Sequence, residues 1–189
     1  MNISAVLLAG GESRRMGTDK AALLFREEPL WRIQLELLRE LEPAEILVSA
    51  RTDPDWRPAD ARFVGDDPPS RGPLSGLAAS LANMRTKHLL ALAVDMPLMT
   101  DKYLTFLCNQ VEPRSGAIAK IDNRFEPLVA IYPQDALGDF QRALSGKDFS
   151  MQALVAHLVA MGSLRVVSVT DDERKLFLNV NEVSDLASF

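Results

Sequence analysis

Ala5-Val6-Leu7-Leu8-Ala9-Gly10-Gly11-Glu12-Ser13-Arg14-Arg15-Met16-Gly17-Thr18-Asp19-Lys20 runs an apolar segment into a glycine pair and then into three cations. The stretch Ile3 to Ala9 is continuously apolar, as in a strand buried on both faces at the centre of a parallel sheet. Such a strand delivers its following loop to the carboxyl edge of the sheet, where open α/β folds bind ligands. Gly10 and Gly11 let a polyphosphate or a base approach main-chain N–H groups with no Cβ in the way. Arg14, Arg15 and Lys20 supply matching positive charge. The pattern is not a Walker A loop, because Gly11 and Gly17 are separated by five residues and Thr18, not lysine, follows Gly17. Nor is it a dinucleotide fingerprint, because Gly10 and Gly11 are adjacent and no third glycine falls two residues further on.

Outward from this loop, strand-like segments recur at Ile3 to Ala9, Glu45 to Ala50, Arg62 to Val64, His88 to Val94, Gly116 to Lys120, Leu128 to Tyr132, Leu164 to Val169 and Lys175 to Leu178. Helical patterns lie between several of them. The first begins near Pro29, which tolerates a helix N-terminus, and puts Leu30, Ile33, Leu37, Leu38 and Leu41 on one face. Others are expected from about Leu74 to Met84, Asp101 to Gln110, Gln134 to Leu144, Met151 to Met161 and Ser184 to Phe189. Alternating strands and helices predict an α/β fold: a single Rossmann-like, three-layer domain with a mostly parallel central sheet and helices on both faces. Thr52 to Asp60 and Asp66 to Pro73 are rich in Pro, Asp and Gly and short enough to be loops at the sheet edge.

At 189 residues, 47% hydrophobic and 25% charged, the chain has the make-up of an ordinary globular protein able to bury a core without disulfides. No apolar run approaches the ~20 residues of a membrane span, so no membrane partner is expected. Met1-Asn2-Ile3-Ser4 has no basic segment before its short apolar stretch, so the reading is a cytoplasmic protein without a signal peptide. A net charge of −5 argues against nucleic acid as partner. The local balance differs, since Arg14, Arg15, Lys20, Arg26 and Arg32 outnumber Glu12, Asp19, Glu27 and Glu28 over the first 32 residues. An anionic small molecule would be drawn there. Cys108 falls on an apolar helix face and reads as a small buried hydrophobe. His88 and His157 are too separated to form a metal cluster, and Trp31 and Trp56 read as packing residues.

Three further segments carry candidate chemistry. Asp95 stands just past the apolar run His88 to Val94, at the edge that also carries the glycine loop, where a carboxylate binds a hard cation such as Mg²⁺ or simply caps the turn. In Val64-Gly65-Asp66-Asp67-Pro68-Pro69-Ser70-Arg71-Gly72-Pro73-Leu74-Ser75-Gly76, Gly72 and Gly76 leave room for a ligand beside a helix N-terminus. Asp66 could accept hydrogen bonds from a base or ribose there. In Phe177-Leu178-Asn179-Val180-Asn181-Glu182, Asn181 follows an expected strand and either brings a carbonyl oxygen to a metal or caps the last helix.

Taken in order, Leu8-Ala9-Gly10-Gly11 with Ser13 to Lys20, Pro29-Leu30, Gly72-Pro73-Leu74-Ser75-Gly76, Val94-Asp95-Met96-Pro97, Glu126-Pro127-Leu128-Val129 and Asn179-Val180-Asn181 span nearly the whole chain. Together they resemble the molybdenum cofactor guanylyltransferases, the MobA-type nucleotidyltransferases. The Gly-Gly pair looks more like the guanylyl branch than the cytidylyl relatives, whose loop usually resembles Leu-Ala-Ala-Gly. The resemblance implies one nucleotidyltransferase domain over residues 1–189, with GTP and Mg²⁺ used and molybdopterin or its molybdenum-loaded form as acceptor. It also implies transient contact with other proteins of cofactor biosynthesis. Carried over by position, Leu8, Ala9, Gly10 and Gly11 would contact guanine and phosphates, Lys20 the nucleotide and Asp66 the guanosine, while Asp95 and Asn181 would hold Mg²⁺.

The implied reaction is attack by the acceptor's terminal phosphate on the α-phosphorus of GTP, with pyrophosphate leaving. A phosphate monoester is already nucleophilic at neutral pH, so the catalytic work is alignment and charge neutralisation by Arg15 and Lys20, with Mg²⁺ at Asp95. Lys20 and Asp95 are expected to meet in one cleft and grip opposite sides of a magnesium triphosphate. Family members often carry asparagine after the second strand, where this chain has Ser49-Ala50-Arg51, implying an altered base or ribose contact. The alternatives within the class are a cytidylyl or sugar-phosphate nucleotidyltransferase. Outside it stands a non-catalytic nucleotide-binding adaptor.

Overall fold

A computed structural model describes residues 2–10, 20–66 and 69–180. Its strands are β1 (Ser4–Leu8), β2 (Leu24–Phe25), β3 (Glu28–Pro29), β4 (Glu45–Ala50), β5 (Ala61–Gly65), β6 (His88–Ala93), β7 (Gly116–Ile121), β8 (Arg124–Pro133) and β9 (Leu164–Ser168). Seven of them form one sheet in the order β5-β4-β1-β6-β8-β7-β9, while β2 and β3 make a separate small hairpin. β8 runs antiparallel to β6 and β7, and every other neighbouring pair in the sheet is parallel. The sheet is therefore mixed but mostly parallel, as the alternation of strands and helices predicts.

The helices are α1 (Leu30–Glu40), α2 (Pro73–Asn83), α3 (Asp101–Cys108), α4 (Leu137–Ser145) and α5 (Met151–Ala160). The sheet is sandwiched, and β1 shows how. Ala5 and Leu7 join a core that includes Leu30, Leu35 and Leu38 of α1 and Leu104 and Leu107 of α3. Val6 and Leu8 join a second core with Leu74, Leu77 and Leu81 of α2, Phe140 of α4 and Leu154, Val155 and Leu158 of α5. Alternate side chains of a strand point to opposite faces, so a continuously apolar strand feeds two cores at once.

Local signals fix the helix starts. Thr100 Oγ1 accepts a hydrogen bond from Tyr103 N (3.3 Å) at the head of α3, and Ser150 Oγ does the same for Ala153 N (3.3 Å) at α5. Pro73 occupies the first turn of α2, where its missing N–H costs nothing, and Gly72 before it has φ +64°. Trp31 and Trp56 stack on each other, with centroids 5.2 Å apart and rings within 11° of parallel.

One expected strand is something else. Lys175 to Leu178 belongs to the end of a 3-10 helix, Asp171–Phe177, with Leu178 just after it. The Glu173 carboxylate accepts hydrogen bonds from Thr170 N (2.9 Å) and Thr170 Oγ1 (2.8 Å), closing a tight turn that competes with extension. Phe177 is buried edge-on against Tyr103, with centroids 5.2 Å apart, so its hydrophobicity is spent on a helix contact. The helix expected at Ser184 to Phe189 lies outside the described residues. No helix among the described residues is long and apolar enough to cross a membrane.

Candidate functional site

The carboxyl ends of the parallel strands are laced together by backbone bonds that extend the sheet beyond its regular registers. Ala9 N donates to Ser49 O (2.9 Å), Val94 N to Leu8 O (3.2 Å) and Val180 N to Asp95 O (2.8 Å). A cleft of about 540 Å³ opens over this edge. Leu8, Ala9 and Gly10 line it from β1, Asp66 and Ser70 to Pro73 from the loop before α2, and Ala93 to Asp95 from β6. Lys20, Arg51 and Leu128 complete the wall. Thus Leu8, Ala9, Gly10, Lys20, Asp66 and Asp95 share one cavity. Gly11, Arg15 and Asn181 lie outside the described residues.

Lys20 and Asp95 are in direct contact. Lys20 Nζ donates to Asp95 Oδ2 at 2.6 Å, and only about a fifth of each side chain is exposed (21% and 20%). The two groups expected to grip opposite sides of a magnesium triphosphate thus lie in one cleft and touch each other there. Opposite charges brought 75 positions together in a sheltered cleft attract strongly enough to close the gap. Asp95 Oδ1 is buried and has no hydrogen-bond partner among the described residues. Among the described residues no turn N–H donates to this carboxylate.

The Asp95 turn is held from behind by buried groups. Gln34 of α1, fully buried, donates from Nε2 to Met96 O at 2.6 Å, and Met99 N donates to the same carbonyl at 3.1 Å. A carboxylate oxygen left unpartnered on so rigid a turn suits a hard cation, which satisfies such oxygens and takes its remaining ligands from phosphate and water. Among the described residues no group of three His, Cys, Asp or Glu side chains could enclose a metal.

Across the cleft, Asp66 is held by two hydroxyls: Ser49 Oγ donates to Oδ1 (3.3 Å) and Ser70 Oγ to Oδ2 (2.9 Å). The expectation that Gly72 and Gly76 both leave room for a ligand divides here. A Cβ on Gly72 would meet nothing within 4 Å, and Gly72 lines the cleft. A Cβ on Gly76 would lie 2.5 Å from Ser49 Oγ and 3.3 Å from Asp66 Oδ1. The space that Gly76 saves is filled by the chain's own side chains. Ser70 and Arg71 line the cleft without having announced themselves, because a serine and an arginine in a proline-rich loop fit no motif. Cys108 is buried, and burial pushes its thiol up to about 11, which suits packing rather than nucleophilic attack. His88 is buried at the start of β6, away from the cleft lining, and burial lowers its pKa.

The profile described as the MobA-like NTP transferase domain matches residues 5–174, covering the glycine loop, the Asp66 loop and the Asp95 turn. The chain belongs to this family. A probable molybdenum cofactor guanylyltransferase from Opitutus terrae is 36% identical over 186 residues, covering 97% of this chain and 92% of the relative. The molybdenum cofactor guanylyltransferase of Syntrophotalea carbinolica is 30% identical over 188 residues, covering 96% and 88%. Among solved structures, molybdopterin-guanine dinucleotide biosynthesis protein A from Archaeoglobus fulgidus superposes with a TM-score of 0.72 at 24% identity, covering 98% of this chain and 95% of that one. The 2-C-methyl-D-erythritol 4-phosphate cytidylyltransferase of Thermus thermophilus gives 0.69 at 16%, covering 100% and 97%. These two likenesses show a shared fold.

Proposed function

We propose that this MobA-like NTP transferase transfers GMP from GTP to the terminal phosphate of molybdopterin, or of its molybdenum-loaded form. An acceptor phosphate oxygen bonds to the α-phosphorus, the bond from that phosphorus to the bridging oxygen breaks, and pyrophosphate leaves. The observation that carries the reading is the Lys20–Asp95 pair with its unpartnered Oδ1, facing the glycine loop across one cleft. The guanylyltransferases among the curated relatives supply the choice of nucleotide and acceptor.

In this reading Leu8, Ala9, Gly10 and Gly11 contact guanine and phosphates, and Asp66 holds the guanosine. Lys20 and Arg15 neutralise charge that builds on the triphosphate oxygens, and the acceptor needs no protein base. Asp95 Oδ1, with the Asn181 side chain, would hold Mg²⁺. Bound there, the ion would supply charge neutralisation for the phosphates. The protein's share is alignment, a positive wall and a sheltered edge that keeps water from competing as nucleophile.

The test is a thermal-shift panel of GTP, CTP, UTP and ATP with Mg²⁺, followed by pyrophosphate release on adding molybdopterin. Selective stabilisation by GTP and release dependent on acceptor are expected. Selective stabilisation by CTP would replace the guanylyl reading with a cytidylyl one, and silence in the release assay would leave a nucleotide-binding adaptor.

A further inference from the structure

The Asp66 carboxylate is not simply an acid at the rim of the cleft. Each of its oxygens already accepts one serine hydroxyl, Ser49 on Oδ1 at 3.3 Å and Ser70 on Oδ2 at 2.9 Å. An ionised carboxylate offers about four lone-pair sites, so one site per oxygen remains. Ser49 is buried at the end of β4, and its hydroxyl occupies space that only a glycine at position 76 leaves open, 2.5 Å from where a Cβ would stand. Ser70 is tied forward as well as back, since Gly72 N donates to Ser70 Oγ at 3.3 Å. The hydroxyls therefore lock the carboxylate plane from two different elements, the second strand of the parallel set and the loop leading into α2.

A carboxylate so oriented is a pair of adjacent acceptors with fixed spacing. Among the four common bases, guanine alone offers two neighbouring N–H donors, N1–H and N2–H. Adenine and cytosine pair one amino donor with an adjacent ring-nitrogen acceptor, and uracil places one N–H between two carbonyls. We propose that Ser49 and Ser70 are the positioning residues of base selection, fixing Asp66 so that its two open acceptor sites match the two-donor edge of guanine. The inference rests on the GTP reading above.

Inosine triphosphate keeps N1–H and lacks the 2-amino group, so it removes one of the two donors and nothing else. Dissociation constants for GTP and inosine triphosphate with Mg²⁺ are measured on the wild-type protein, Ser70→Ala, Ser70→Thr and Ser49→Ala/Ser70→Ala. Wild type is expected to prefer GTP by roughly tenfold or more, the worth of one hydrogen bond to a charged acceptor. Ser70→Ala and the double variant should lose most of that preference while keeping a wild-type melting temperature, and Ser70→Thr, which retains the hydroxyl, should recover it. In turnover the loss should fall on KM for GTP more than on kcat. A wild-type protein that binds GTP, with variants that keep its full preference over inosine triphosphate, would overturn the role of the serines and leave the GTP reading standing. A wild-type protein that ignores GTP would overturn both.

Discussion

Replacing Lys20 by methionine isolates the charge at the centre of the cleft, and the structure sets the size of the effect. At 2.6 Å, the Lys20–Asp95 contact has a gross Coulomb attraction of roughly 6 kcal/mol for an effective dielectric constant of about 20. Both side chains are four-fifths sheltered, so desolvation offsets most of it. The pair falls between exposed ion pairs, worth about 0–1 kcal/mol, and buried ones, whose rupture costs about 3–5 kcal/mol. Lys20→Met should therefore destabilise the protein by about 2 kcal/mol, because Asp95 keeps a charge with no other ion-pair partner among the described residues and an oxygen that already lacks one there. Lys20→Met/Asp95→Asn removes both charges at nearly constant volume and should recover all but about 1 kcal/mol of the loss. Urea denaturation of wild type, both single variants and the double variant gives the coupling directly. Activity should respond otherwise: each single variant is expected to lose about a hundredfold or more in pyrophosphate release, with no recovery in the double. Strict additivity of the two stability losses would show that the groups do not meet in solution, and the cleft drawn above would be wrong.

Two other perturbations test separate parts of the structure. Gly76→Ala gains about 1 kcal/mol of helix propensity but pushes a methyl against Ser49 Oγ, an overpacking cost of about 1–3 kcal/mol; the net loss in thermal denaturation should shrink when Ser49→Gly is added, and an unchanged loss would locate the strain elsewhere. Burial raises the pKa of the Glu126 carboxyl, against the opposing charge of Arg124, so the folded state holds that proton more tightly than the unfolded chain. Stability from this group is fully present below the ordinary carboxylate range and is lost as pH rises through the raised value. Glu126→Gln should accordingly melt higher than wild type at pH 7 and equal to it near pH 4, and a difference that persists at pH 4 would mean another cause.

Much of the fold is legible in the chain because parallel strands buried on both faces must be continuously apolar, as Ala5 to Leu8 and His88 to Ala93 are. Glu45–Ala50 matches the expected strand residue for residue, and α1 ends before Pro43 as the helix pattern requires. The hairpin of β2 and β3 escapes notice since its turn residues, Arg26 and Glu27, take positive φ values of 51° and 71° without the Asn-Gly chemistry that usually signals such a turn. β8 runs from Arg124, four residues before the expected start, because a partly exposed end beside β7 needs no apolar pattern. At the site, Asp95 and Lys20 are legible from their place after strands and glycines. Ser49 is marked in the sequence only as a departure from the family pattern and Ser70 not at all, because the contact of each with Asp66 is created only by the folded chain.

The bond from Val180 N to the carbonyl of Asp95 joins the segment after the 3-10 helix Asp171–Phe177 to a turn made by the middle of the chain. During synthesis on a ribosome, β1, β4 and β6 can pair long before residue 180 emerges, yet the turn beneath them lacks this clasp until then. A nascent chain can thus pair its central strands early and fasten the Asp95 turn late.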